Sequence, residues 1–467
     1  MDYALSTEQF LHGKMFDSKG KFSHKIGNRF KLFPFIPRTN TYSKPVLALN
    51  NLIGALLCRI EGEEPEEITA EMLITSLIEI DDIEIEQGQE DKFTEVIKIL
   101  FFDDNGRMRP LCLKMLEQTP CDDPSELKLT EYLADVLGDK EILKELLHQA
   151  HQQSLDASNV IEKLILSKLE RTKRETDQSV PYFRVTDSLK NIFEGDFKYI
   201  IENPKRSREY LVELFEFYFF TYTAQTALQL NRFLYGDRTD SVPLYFCLEW
   251  EKTSQSRQCF TEGWQQLQNS IDKIFAHAVT LEILNHTEPG TELVDYIELK
   301  RIIDSDPALD NLISEQIDEV TKLYRENIKD CAEMNEVKKG SADHGATDAS
   351  VKFLFDSIKS QFEKSDRYRI YNSYSSKFEM YCHKYLKSRG RSGLMLNLSE
   401  ETLIFLTKLC IKNQEQMRLK DVFREMELRG VYLDNQSKEQ AAIYYEKLNL
   451  IEKKSDSGDA KYVKRIL

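Results

Sequence analysis

The residues with the clearest chemical potential are carboxylates around a short apolar run in the middle of the chain. Asp240 precedes the run VPLYFCLEWEK, and Glu249 and Glu251 lie near its end, directly before Lys252. Metal-dependent nucleases use such carboxylates at a strand end to bind a cation and orient water. Here Trp250 occupies the position where the Asp/Glu-x-Lys pattern requires an acid. We therefore expect a solvent-facing strand end, and a divergent nuclease is the less favoured alternative.

A second group of potential ligands lies on one predicted helix. The run EILKELLHQAH places Glu145, His148 and His151 on neighbouring turns, where carboxylate and imidazole groups can contribute to a metal site. A matching second helix is absent from the sequence. We expect a polar helix face and no bound metal.

Other catalytic signatures are missing. The nearest approach to a phosphate-binding loop, GKMFDSKGKFS, has its glycines too far apart, and Phe22 stands where a hydroxyl would bind magnesium. We find no nucleophile elbow and no dinucleotide fingerprint. The eight cysteines are scattered without a Cys-x-x-Cys pair. We expect a protein that is not an enzyme and needs no cofactor.

The C-terminal segment has the most specific pattern. Ser399 is placed to cap one helix, Gly430 to end a second, and Ser437 with Gln440 has capping-box spacing for a third. The ending IEKKSDSGDAKYVKRIL predicts two short strands around a turn that contains Gly458. Three helices and a hairpin indicate a winged helix, whose third helix can enter the DNA major groove.

Two sets of side chains are expected to contact DNA, through phosphates and through stacking on unpaired bases. The first set lies on the third helix and the hairpin: Lys438, Tyr444, Lys447, Lys453, Lys454, Lys461, Lys464 and Arg465. The second set lies upstream in the Tyr-rich run KSDRYRIYNSYSSKFEMYCHKYLKSRGRSG: Arg367, Arg369, Lys387, Arg389 and Arg391.

Both sets also have a structural interpretation. Winged helices often bind proteins, and Glu439, Glu446 and Glu452 dilute the positive charge near the chain end. Half-buried tyrosines with solvated cations are equally typical of an amphipathic helix. Contact with DNA and contact with a partner protein therefore both remain open for the winged helix.

Length and composition set the framework for these elements. With 467 residues, 41% hydrophobic and 30% charged, the chain is expected to form a mainly α, multi-domain helical protein with a C-terminal winged helix-turn-helix domain. The formal net charge of −16 is uneven, because EGEEPEEITAEM and IEIDDIEIEQGQEDK concentrate acid in the N-terminal part. That part is a candidate surface for a basic partner.

Changes in composition suggest five segments. They are an acidic, mostly helical domain at 1–178, a central helical domain at 179–336, a flexible linker at 337–350, a basic Tyr-rich helical connector at 351–393 and the winged helix at 394–467.

The start MDYALSTEQFLHGK has no export signal. The most apolar run, YLVELFEFYFFTYTAQTALQL, contains Glu213 and Glu216. We expect a cytoplasmic protein without a membrane span.

Three stretches resemble one protein family. HKIGNRFKLFPF, VPLYFCLEWEKTSQSR and the ending from LTKLCIKNQEQMRLKDVFREMELRGVYLD to YYEKLNLIEKKSDSGDAKYVKRIL resemble the DNA phosphorothioation-dependent restriction proteins of the DptG family. The resemblance implies a bacterial defence complex with the partners DptF and DptH, which damages DNA that lacks a sulfur mark in its backbone. It implies ATP hydrolysis by partner subunits, and it transfers no catalytic residue to this chain.

Overall fold

The computed structural model describes residues 3–12, 15, 22, 24–34, 52–65, 69–78, 86, 88–104, 106, 108–109, 112–118, 121, 124–157, 163, 165–166, 171–173, 180–202, 207–328, 331–365, 367–453 and 461–466. Within these ranges the chain is mainly α-helical with few strands, which confirms the expected fold class. None of the described helices is long and apolar enough to cross a membrane.

The described part of the chain forms eighteen α-helices and nine β-strands. The α-helices are α1 (Thr7–His12), α2 (Ile53–Glu61), α3 (Ala70–Ile78), α4 (Glu90–Phe101), α5 (Leu113–Leu116), α6 (Pro124–Val136), α7 (Lys140–Ala157), α8 (Lys190–Ile201), α9 (Ser207–Leu230), α10 (Gln265–Ile271), α11 (Ile274–Leu284), α12 (Tyr296–Ser305), α13 (Leu309–Asn327), α14 (Ala346–Glu363), α15 (Tyr368–Tyr381), α16 (Glu400–Ile411), α17 (Leu419–Leu428) and α18 (Asn435–Lys447). The strands are β1 (Glu63–Pro65), β2 (Arg171–Lys173), β3 (Tyr245–Leu248), β4 (Leu386–Ser388), β5 (Leu394–Leu398), β6 (Gln416–Arg418), β7 (Tyr432–Leu433), β8 (Ile451–Lys453) and β9 (Lys461–Lys464).

Packing groups the chain into two compact units, each built from separate stretches of sequence. The first unit comprises residues 1–46, 182–189 and 220–467, and the second comprises 47–181 and 190–219. The boundary expected near residue 178 lies close to the return of the chain into the first unit. The segments expected as connector and winged helix share that unit with most of the central region.

The second unit packs short amphipathic helices around α2. Leu56, Leu57 and Tyr132 have no exposed surface, and α2 contacts both α6 and α7. Gly62 ends α2 in the left-handed conformation with φ of 76°, and its N–H bonds to the carbonyl of Arg59. A smaller cluster joins α3 and α4 through residues such as Leu73.

The first unit is built around α11, in which every residue is buried. A helix that is buried on all sides must be surrounded by other elements, and α14 and α15 pack against it. Its one acid, Glu282, accepts backbone N–H groups from Gly27, Arg29 and Phe30 at 3.0–3.1 Å. These bonds satisfy a buried carboxylate that would otherwise be costly.

The segment expected to be a linker is partly helical. Helix α14 begins at Ala346, because the Asp310 carboxylate accepts the N–H groups of Ala346 and Thr347 at 2.9 Å. Further upstream, the Lys339 ammonium lies 2.6 Å from Asp318. The polar composition of this segment predicted a linker. In the structure, the Lys339 ammonium and the N–H groups of Ala346 and Thr347 bind carboxylates of helix α13.

Strand β3, within the run VPLYFCLEWEK, is the centre of a four-stranded sheet of order β4-β5-β3-β7. It pairs in parallel with β5 through Leu248 and Leu398, and with β7 through Tyr245 and Tyr432. The C-terminal segment therefore supplies both neighbours of a strand that lies far upstream in the sequence.

The C-terminal residues continue as α16, β6, α17, β7, α18, β8 and β9, and β6, β9 and β8 form an antiparallel sheet. Ser399 caps α16 by accepting the N–H of Thr402 at 3.1 Å, and Gly430 ends α17 with φ of 80°, both as expected. The expected capping box is wrong. Asp434 caps α18 by accepting the N–H of Ser437 at 2.9 Å.

Candidate nucleic-acid interface

The sheet β6-β9-β8 has one buried and one exposed face. Val463 is fully buried, so its neighbours Tyr462 and Lys464 point to the other face. Arg418 pairs with Tyr462 across the strands, donates a hydrogen bond to its hydroxyl at 3.2 Å and lies over its ring. The alternation of β9 alone did not show which lysine faces outward, and the register with β6 assigns Lys464 to the exposed face.

Five of the expected DNA contacts are exposed. Lys447, Lys464 and Arg465 lie near the chain end, and Arg369 and Arg391 lie upstream. No ion pair within the described ranges involves any of the five; Arg465 bonds only to neutral oxygens, including Asn413 Oδ1 at 3.2 Å. No acid of the described ranges therefore offsets the charge of these cations, and they are accessible to an external anion.

The other described side chains of the expected site bind within the protein. The contacts are Lys438 with Glu427 (2.8 Å), Lys461 with Glu446 (3.0 Å), Lys387 with Glu249 (2.8 Å), Tyr444 with Glu400 (2.8 Å) and Arg367 with His24 (2.8 Å). Arg389 donates to the Leu248 carbonyl and to Asn397, both at 2.8 Å. Lys454 and the side chain of Lys453 lie outside the described residues. The expected site is therefore divided into exposed cations that make no ion pair in the described ranges and side chains that are bound within the protein.

The first turn of α18 lies in a buried polar junction. Asp434 accepts both Nε (3.0 Å) and Nη2 of Arg257, and Glu251 lies 3.1 Å from Nη1 of the same guanidinium. Ser437 donates to Glu251 at 2.7 Å. Burial raises the pKa of Asp434, but Arg257 and the Ser437 N–H outweigh it and hold that pKa below its usual value.

This junction limits what α18 can contact. Recognition helices usually read bases with their N-terminal residues, whereas Asp434 and Ser437 have less than a tenth of their surface exposed. The C-terminal end of the helix, at Lys447, is exposed. Among the cations expected near the chain end, the exposed ones thus lie at the end of α18, on β9 and directly after β9.

The three carboxylates considered for a nuclease site differ in burial and in the groups around them. Glu251 is buried in the junction, Glu249 is exposed beside Lys387, and Asp240 lies in an exposed turn. Within the described ranges, the one group of three metal-ligand side chains consists of other residues. In the Tyr-rich run, Tyr371, Tyr374 and Tyr385 are buried, whereas Tyr368 is 52% exposed.

Three exposed cations near the sheet were not identified from the sequence. Arg418 ends β6, and Lys420 and Arg424 lie one turn apart on the exposed side of α17. The signal was present in MRLKDVFREM, because Val422 and Phe423 mark the buried face and place the two cations opposite.

No protein-family model matches the chain, and no curated protein matches it.

Proposed function

We propose that the chain is a non-catalytic, cytoplasmic DNA-binding and assembly subunit of a phosphorothioation-dependent restriction complex that acts on unmodified DNA. The observation that carries DNA binding is the exposed face of the sheet β6-β9-β8, where Arg418, Tyr462 and Lys464 lie together. The defence role rests on the resemblance to the DptG family.

The order of elements supports a winged helix at residues 394–467. Apart from β7, which pairs with β3, the elements follow the order helix, strand, helix, helix, strand, strand. That order is the connectivity of a winged helix, with β6 completing a sheet whose hairpin β8-β9 is the wing. In this proposal the wing and the end of α18 bind phosphates through Lys447, Lys464 and Arg465. Such contacts position a protein on a duplex and give affinity without base specificity.

In the assembly role, the chain binds partner proteins that supply ATP hydrolysis. By resemblance these are DptF and DptH, with ATP hydrolysis in a partner. The acidic N-terminal part is the proposed docking surface for a basic partner. Reversing its charges is expected to weaken recovery of partners in a pull-down, and unchanged recovery would discard this surface.

A pure protein scaffold is the second candidate. Ile443 and Leu448 on and after α18 are 44% and 43% exposed, which suits a protein contact. In that case the exposed apolar side chains, and not the wing cations, would determine what the C-terminal segment binds.

The test compares two triple variants of the full-length chain that lose the same charge. The first replaces Lys447, Lys464 and Arg465 with alanine, and the control replaces the internally paired Lys387, Lys438 and Lys461. Fluorescence anisotropy measures duplex binding across a salt series. Each phosphate contact contributes about 0.9 to the log–log salt slope, so the first variant should lose up to about 2.7. The control should keep the wild-type slope.

The outcomes separate the candidates. A reduced slope in the first variant alone supports the wing as the DNA contact. Equal slopes in all three proteins would refute that location, and absence of binding at low salt would favour the scaffold. Parallel titrations with unmodified and phosphorothioate duplexes test whether this subunit senses the sulfur. Equal affinity for the two duplexes would assign that role to a partner.

A further inference from the structure

We propose that the second unit binds a zinc ion through Glu61, Glu117 and His151. The Nε2 atom of His151 lies 3.2 Å from Oε1 of Glu61 and 3.0 Å from Oε1 of Glu117. One ligand atom from each of the three residues lies within 4.8 Å of the others. The proposal does not depend on the DNA-binding function.

Helices fix all three side chains. Glu61 is the last residue of α2, Glu117 directly follows α5, and His151 lies within α7. The Cys58 thiol, one turn before Glu61, donates to the carbonyl of Glu117 at 3.3 Å and joins the ends of α2 and α5. Ligands held on packed helices are pre-organised, as a metal site requires.

The imidazole of His151 is the observation that indicates a metal. Its side chain is only 13% exposed, and within the described ranges neither ring nitrogen has a well-aligned hydrogen bond, although Nε2 lies within 3.2 Å of both carboxylates. An imidazolium between two carboxylates would need acceptors in line with the N–H groups at both nitrogens. Instead, Nε2 lies 3.2 Å and 3.0 Å from one oxygen of each carboxylate without an aligned bond to either, an arrangement that ligands of a shared ion can have.

The separations also fit such an ion. Zinc binds nitrogen and oxygen at about 2.0–2.1 Å, which places neighbouring tetrahedral ligands roughly 3.3–3.4 Å apart. The two observed separations, 3.0 and 3.2 Å, are close to this value. Glu117 has no exposed surface and Glu61 only 9%. A divalent cation would balance the negative charge of these two buried carboxylates.

The ligand types select the metal class. One imidazole with two carboxylates suits zinc better than magnesium, which prefers oxygen ligands and bound water. No thiolate completes the set, because the Cys58 thiol is bonded to a carbonyl. Within the described ranges there are three protein ligands, which leaves a fourth position for water, and the ion would link α2, α5 and α7.

The test uses the full chain, stripped of metal with a chelator and shown to be folded by circular dichroism. Calorimetric titration with Zn²⁺ should give about one site per chain. His151→Ala and Glu117→Gln should each weaken binding by at least about 100-fold. His148→Ala is the matched control, because His148 is exposed on the same helix one turn earlier, and it should bind as the wild type does.

Two further measurements use the wild-type chain and do not depend on the variants folding. Co²⁺ should bind at the same stoichiometry and give the visible absorption of a four-coordinate site. Zinc should protect His151 from diethyl pyrocarbonate in peptide mass spectra, while His148 is modified with and without zinc. The proposal is overturned if the stripped, folded chain binds neither ion, if folded His151→Ala binds zinc normally, or if zinc leaves His151 reactive.

Discussion

Replacing Asp434 with alanine tests whether the buried junction holds α18 in place. Asp434 makes two bonds to Arg257 and also caps the helix through the N–H of Ser437. The side chains of Arg257 and Asp434 are 6% and 9% exposed, so water screens their attraction weakly. The substitution therefore removes one partner of a buried ion pair and a helix cap together.

The expected loss of stability follows from these contacts. Removing one partner of a buried ion pair costs about 3–5 kcal/mol, and loss of an N-cap costs about 1 kcal/mol. Glu251 remains 3.1 Å from Arg257 and keeps part of its charge compensated. The free energy of unfolding should therefore fall by about 3 kcal/mol, near the lower end of the range for an ion pair. Asp434→Asn keeps a capping side chain and should cost about 1 kcal/mol less.

Urea unfolding followed by tryptophan fluorescence is a suitable assay. The chain has two tryptophans, and both Trp250 and Trp264 lie in the first unit. The ring of Trp250 lies 4.7 Å from that of Tyr444 on α18, so it reports on this helix directly. Glu439→Ala, an exposed acid on the same helix, is the control and should change stability by less than about 0.5 kcal/mol.

The pH dependence provides a second check on the same residue. Because the folded pKa of Asp434 is lowered, its contribution is complete above the unfolded value of about 3.9 and is lost as pH falls through the folded pKa. The stability difference between the wild type and Asp434→Asn should shrink as the pH falls below about 4. A loss under about 1 kcal/mol in Asp434→Ala at neutral pH would refute the junction as the anchor of α18.

Three further substitutions test the first unit, each by urea unfolding. Burial lowers the pKa of His277 to about 3, so the folded state excludes a proton that the unfolded state binds below about pH 6.5; stability falls there by up to about 1.4 kcal/mol per pH unit. The free energy of unfolding of His277→Phe, relative to that of the wild type, should therefore rise by about 2 kcal/mol when the pH is lowered from 7 to 5. A difference between the two proteins that does not change with pH would contradict this. Gly263→Ala should cost about 1–3 kcal/mol, because the added carbon would lie 2.7 Å from the carbonyl oxygen of Tyr245; an unchanged midpoint would show that the backbone can yield. Glu282→Ala removes the acceptor of the N–H groups near Phe30 and should cost at least about 3 kcal/mol, with faster hydrogen exchange confined to residues 27–30 as the diagnostic result.

Local patterns predicted the helical elements well, because periodicity and capping act within a few residues. The cap at Ser399 follows from its own sequence, and so does the strand that begins at Tyr245. The start of α18 shows the limit of prediction from local sequence patterns. Asp434 and Ser437 are both capping residues, and Ser437 instead bonds to Glu251, which is 186 positions away. No local rule contains that contact.

The candidate sites show the same limit. Composition identified the cations, but only the fold shows that Lys387 meets Glu249 across 138 positions while Lys464 meets no acid in the described ranges. Similarly, the helix pattern grouped His151 with His148, whereas folding turns His148 outward and brings His151 to an acid at the end of α2 and an acid directly after α5. Partners distant in sequence decide which member of a pattern is available.

The sheet of the first unit also determines how the C-terminal segment can be studied. Truncation after Gly393 would remove β5 and β7, which are the two neighbours of β3. It would also remove Asp434 and leave the buried Arg257 without one of its two counter-charges, at a cost of several kcal/mol. Loss of DNA binding in such a fragment would report the disrupted sheet as much as the missing wing. Because Lys447, Lys464 and Arg465 are exposed, substituting them in the intact chain changes the surface charge and leaves these buried contacts in place.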